Sequence, residues 1–97
     1  MSSFSQMKDM YRIQKEAKRV KKELKQVHVE AEAEGVKVIV DGEQEIVSIE
    51  IAETVARERI PALVKDALNR AMKKAQVYAA EKMQGVMSQM GLPTAEQ

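Results

Sequence analysis

Catalysis requires groups that exchange protons, attack an electrophile or hold a metal ion, and few such groups stand in this sequence. His28 is the single histidine, and there is no cysteine. His28 falls on the polar side of a strand among glutamates, the ordinary place for a solvated imidazole. A zinc site would need more nitrogen or sulfur ligands than the chain has. Glu30, Glu32 and Glu34 alternate along the same face, where a solvated strand surface is the simpler reading than a weak divalent-ion site. No Gly-rich phosphate loop occurs, and no Ser or Thr sits in a nucleophile motif. The seven methionines suggest an adaptable groove. Met72, Met83, Met87 and Met90, however, lie on or beside an apolar helical stripe, where packing accounts for them.

The reactive groups present in quantity are cations, and they are ordered. Met10, Ile13, Ala17, Val20, Leu24 and Val27 follow one another at intervals of three and four. This is a heptad seam with Met10 at position a. Lys8, Lys15 and Lys22 then occupy position f, Arg12 and Arg19 position c, and Tyr11, Lys18 and Lys25 position b. Asp9, Glu16 and Glu23 occupy position g beside the seam, where they can pair with a partner helix. Arg70, Lys73, Lys74 and Lys82 add bases on a second helix. A basic face of this kind neutralises a polyanion such as the phosphates of nucleic acid. It equally suits the solvated outside of a coiled coil, and the pattern alone leaves both readings open. No recognition-helix motif is present, and aromatic residues for stacking are scarce. If nucleic acid is bound, phosphate contact and shape are expected to dominate over base reading.

Long elements must carry these bases. The seam predicts a helix over 4–26 with no proline to interrupt it. Residues 27–51, VHVEAEAEGVKVIVDGEQEIVSIEI, then alternate with a period of two. Val27/Val29/Ala31/Ala33, Val36/Val38/Val40 and Val47/Ile49/Ile51 are expected on one apolar face of a three-stranded antiparallel meander. The opposite face carries Glu30, Glu32, Glu34, Lys37, Ser48 and Glu50, with Ile39 and Ile46 among them. Gly35 separates the first two strands, and Asp41-Gly42 is expected to supply the positive φ of the next turn. Thr54 is a candidate cap for a short turn in the connector. Pro61 belongs in the first turn of the helix that follows. That helix is predicted over 59–90, with a stripe of Val64, Leu68, Met72 (with Ala71), Ala75, Ala79, Met83, Val86 and Met90. Gly85 is tolerated within it, Gly91 is suited to the position after its end, and Pro93 is a stop. Residues 91–97 form a tail.

Ninety-seven residues set the chain at one domain, 1–97, with a small core. One Phe, two Tyr and no Trp leave that core to Ala, Val, Ile and Met. One copy would struggle to cover a three-stranded sheet, so a homo-oligomer is favoured. The absence of cysteine fits a reducing compartment. No run of eighteen apolar residues predicts a membrane span, and the N-terminal residues lack the design of a secretory leader. The expected location is intracellular. Formal net charge is +1, but it is segregated. Residues 1–25 carry eight bases and three acids, residues 26–61 three bases and nine acids, and residues 62–97 five bases and three acids.

The ordered set resembles the YbaB/EbfC family of bacterial nucleoid-associated proteins over residues 5–93. The matching elements are a basic first helix, Gly35, a V-x-V-x-V-x-G run ending at Gly42 and Val47-Ser48-Ile49-Glu50-Ile51. Asn69 with Ala71, Glu81-Lys82-Met83 and Leu92-Pro93 also match. The chain departs from the family in having only Glu34-Gly35 before the second strand and Ala52-Glu53 in place of Asp-Pro after the third. The resemblance implies an α+β fold of order α-β-β-β-α, a homodimer with a sheet body and two long protruding helices, and no catalysis or cofactor. It implies binding of double-stranded DNA through basic residues of the helices. Those are Lys8, Arg12, Lys15, Lys18, Arg19, Lys22, Arg70, Lys73 and Lys74. A cytoplasmic, nucleoid location and a role in nucleoid organisation or gene regulation go with it. No membrane and no small-molecule substrate is implied. A coiled-coil interaction module without DNA binding is the alternative.

Overall fold

Alternating β-branched residues build the centre of the molecule. The computed structural model describes residues 3–89 and 91. Helix α1 (Ser3–Gln26) is followed by strands β1 (His28–Ala33), β2 (Val36–Asp41) and β3 (Ile46–Ile51). A 3-10 turn (Arg57–Arg59) then leads into helix α2 (Ile60–Gln89). The strands form one antiparallel sheet in the order β1-β2-β3. The α+β fold of order α-β-β-β-α predicted from the sequence is the one observed.

The β1–β2 hairpin closes through Glu34 and Gly35, both at positive φ (44° and 94°), the signature of a tight two-residue turn that follows sheet twist. Gly35 is doubly constrained, since a Cβ there would approach Val55 Cγ2 to 2.8 Å. Arg59 donates to both carboxylate oxygens of Glu34 at 3.1 and 2.9 Å and ties this tip to the connector.

The second turn departs from expectation. Positive φ falls on Gln44 (66°), not on Gly42. Buried Asp41 organises the loop by accepting the Glu43 and Glu45 N–H groups on Oδ1. Gly42 is needed for a different reason. Its N–H donates to the Leu24 carbonyl at 2.8 Å, and a Cβ would stand 2.7 Å from that oxygen. The glycine lets the end of α1 close onto the turn.

Ala31, Ala33, Val36, Val38 and Val40 are buried on one sheet face against Leu63, Ala67, Ala71 and Ala75 of α2. The row of α2 that meets the sheet is therefore 63-67-71-75, which keeps Ala71 and Ala75 of the predicted stripe and puts Leu63 and Ala67 in place of Val64 and Leu68. Val64, Leu68 and Met72 flank it and are half-buried. Alanine brings the helix axis close to the sheet, so the small side chains rather than the large ones take the centre. Helix α2 lies over β1 and β2 and leaves β3 uncovered. The predicted apolar face thus has an open third. Val47, Ile49 and Ile51 are more than two-fifths exposed. A bulge between Ile39 and Val40 in the β2–β3 register also sets Ile46 opposite Val40, which moves Ile46 off the polar face expected for it.

The connector turn starts from Ala56 without a side-chain cap, so Thr54 does not serve as that cap. Pro61 sits in the first turn of α2, and Gly91 takes positive φ (73°) with its N–H on the Ser88 carbonyl. Met90, Leu92, Pro93 and the tail 94–97 lie outside the described residues.

Beyond the sheet, the end of α1 and the second half of α2 pack antiparallel through Val20, Leu24, Ala79 and Val86. They form an arm, and α1 projects further along it than α2. The extents are 65 × 26 × 16 Å with a radius of gyration of 18.6 Å, where about 12–13 Å suits a globular chain of this length.

Candidate nucleic-acid interface

The arm divides the circumference of α1. At 100° per residue, the seam and the basic face of α1 are centred about 180° apart, and the bases cover about 120°. Val20 and Leu24 of the seam are buried on α2, so the basic face is turned away from α2. From Lys8 to Lys22 it runs about 21 Å along the axis, the rise of about six base pairs. Lys8, Arg12, Lys15, Lys18 and Lys22 are exposed there without an ion-pair partner among the described residues. Lys21 is equally exposed at position e, beside the face predicted from the sequence.

Arg19 differs from these five. Its guanidinium donates to Glu16 at 3.0 and 2.6 Å and to Glu23. Those carboxylates raise its pKa further, the Glu16 hydrogen bond first, and leave the cation locally neutralised. Glu23 also bridges to α2, with Lys82 Nζ at 2.9 Å. The hydrogen bond from Lys82, with Arg19 beside it, holds the Glu23 carboxyl below the usual carboxylate range. In the same way the Arg59 hydrogen bond depresses Glu34. The heptad logic of an acid at position g reaching a partner helix holds for Glu23, and the partner is α2. Lys82 was legible only as one more base, because its pairing depends on how the two helices meet.

The three bases expected on α2 separate into two kinds. Arg70 donates to Asp66 at 3.2 and 2.9 Å and lies 3.5 Å from the Glu32 carbonyl. Lys74 donates to the Glu30 carbonyl at 3.0 Å. Both cover the free backbone edge of β1. Among the described residues, Lys73 alone of the three stands exposed with neither an ion pair nor a hydrogen bond to the fold. The packing of Val86 on Val20 puts Lys74 about 35 Å from Lys8 along the arm. One copy therefore does not gather the nine predicted residues into one patch. It presents five on α1, and Arg19, Arg70 and Lys74 are engaged within the fold.

Among the described residues no three His, Asp or Glu side chains converge as a metal site. No buried polar side-chain atom lacks a partner there. No described helix is long and apolar enough to cross a membrane.

The profile of the YbaB/EbfC DNA-binding family matches residues 1–90. The chain belongs to the YbaB/EbfC DNA-binding family. A comparison with the curated proteins finds no match. Membership extends over both helices and the sheet, so the arm with its outward bases belongs to the YbaB/EbfC domain itself. The family is a DNA-binding, nucleoid-associated one and is not known for catalysis.

Proposed function

We propose that two copies of this chain form a non-enzymatic homodimer that grips double-stranded DNA by phosphate contact through α1, and that it serves nucleoid organisation or gene regulation in the cytoplasm. The observation that carries the reading is the outward row Lys8, Arg12, Lys15, Lys18 and Lys22, exposed and without ion-pair partners among the described residues. Each phosphate neutralised releases condensed counterions, so affinity falls with salt at a slope of about −0.9 per contact. The acidic sheet is repelled from DNA and turns the arms toward it. The dimer is supported by the uncovered apolar side of β3, with Val64, Leu68 and Met72 beside it, and by the unpaired edge of that strand.

The test is a fluorescence-anisotropy titration of a random-sequence duplex at several salt concentrations, with the oligomer mass measured in parallel. Lys15→Gln, Lys18→Gln and Lys22→Gln should together reduce the slope by about 2 to 3. Arg19→Gln should change it less, because that cation is already paired. Ile49→Asp should yield a monomer. An unchanged slope in the triple variant would sink the assignment of this face.

A protein-interaction arm remains a second reading. It is favoured by Met10 and Ile13, which are 60% and 40% exposed on the projecting part of the seam. It predicts a dimer that ignores DNA at low salt and loses a protein partner on Met10→Asp. Val20 and Leu24 cannot serve that test, since both are buried against α2.

A further inference from the structure

A helix face that only neutralises phosphates has no use for an aromatic ring, yet Tyr11 stands within the basic face of α1. Tyr11 is 67% exposed. Lys8, Lys15 and Lys18 lie three residues before it and four and seven after it, all on the same side of the helix. With Gln14, Lys15 and Lys18 it lines a shallow groove along the helix surface. The acids of α1 lie about 120–160° around the axis from the ring. When this face meets a duplex, the flanking lysines reach the phosphates and the ring is carried between them into the groove. The major groove admits an α-helix, and its exposed apolar group is the thymine methyl.

Resting on the DNA-binding reading above, we propose that Tyr11 is a specificity-determining residue that packs against thymine methyl edges in the major groove and adds a salt-independent component to binding. Stacking on single strands is disfavoured as its role, because such platforms use several aromatic side chains in succession and α1 offers this one alone among its described side chains. The contact is apolar, so its loss lowers affinity at every salt concentration and leaves the salt slope unchanged. A lysine contact behaves in the opposite way.

The experiment compares the unmodified protein, Tyr11→Ala and Lys15→Gln on one thymine-containing duplex and on the same duplex with uracil in place of thymine. The uracil duplex keeps every phosphate and hydrogen-bonding edge and loses only the methyl groups. Tyr11→Ala should bind the thymine duplex about five- to tenfold more weakly with an unchanged slope. The uracil duplex should weaken the unmodified protein and leave Tyr11→Ala unaffected. Lys15→Gln should lower the slope and keep the thymine preference. The chain has no Trp and two Tyr, so a Tyr78→Phe background also allows Tyr11 emission to be followed directly, and it should change on binding. Equal affinity of Tyr11→Ala and the unmodified protein, or an equal uracil penalty in both, would overturn the role of Tyr11 alone. Absence of binding by the unmodified protein would overturn the DNA-binding reading together with this one.

Discussion

The sheet body and the arm are built by opposite rules. In the body, Val38, Val40, Ala67, Ala71 and Ala75 are fully buried, and side-chain size decides each position. Several cations near it are spent on the fold, with Arg59 on Glu34, Arg70 on Asp66 and Lys74 on a β1 carbonyl, while Lys73 stays exposed. In the arm, Val20, Leu24, Ala79 and Val86 pack the two helices together with the Lys82–Glu23 ion pair. Among the described residues its outward cations Lys8, Arg12, Lys15, Lys18 and Lys22, unlike Arg19, are left without ion-pair partners. A charge is available to a ligand only where the fold has not already used it. The contrast separates the bases that the fold engages from those it leaves exposed better than counting lysines does.

Breaking the body should have the largest effect. Val38→Asp buries an unpaired carboxylate at the centre of the sheet and should cost more than about 4 kcal/mol. The cooperative thermal transition should vanish in circular dichroism. Gly42→Ala acts at the root of the arm and sharpens the distinction. Its Cβ meets the backbone oxygen of Leu24, so the end of α1 must shift, at a cost of about 1–3 kcal/mol. Amide hydrogen exchange should accelerate around Val20–Gln26 while β2 keeps its protection.

Acid is a smaller perturbation, with a fixed sign. The folded-state pKa values of Glu23 and Glu34 are depressed below the ordinary value of 4.5. Their contribution is therefore present above that value and is lost as pH falls through the lowered folded values. Carboxyl NMR titrations should place both midpoints below the ordinary range, and Lys82→Ala should move only that of Glu23 upward. The smallest effect is a gain. Gly85 is exposed in α2, with open space where a Cβ would be. Gly85→Ala should stabilise the arm by up to about 1 kcal/mol, read as a modest rise in melting temperature.

Local patterns made much of this legible in advance. A period of two marked three strands, the heptad marked α1 to within a residue, and Pro61 and Gly91 marked the ends of α2. The misreadings share a cause in tertiary contact. Gly42 looked like a positive-φ turn residue, but it is required by the approach of Leu24. The larger residues Val64 and Leu68 looked like the centre of a stripe whose place on the sheet goes to Leu63 and Ala67, beside the expected Ala71 and Ala75. Ile46 changed its place because one bulge alters which residues stand opposite each other, and no periodicity encodes a bulge.

The sequence by itself determined the order of elements, the segregation of charge and the face of α1 on which the bases lie, because each depends on spacing along one helix or strand. Only the tertiary structure decided that Lys74 and Lys82 are engaged, whereas Arg19 and Arg70 are already held by carboxylates three or four residues away on their own helices. Whether Arg19, Arg70 or Lys74 can meet a phosphate depends on a carboxylate or carbonyl within hydrogen-bonding reach. For Glu30, Glu32 and Lys82 that reach is set by packing between elements far apart in the chain.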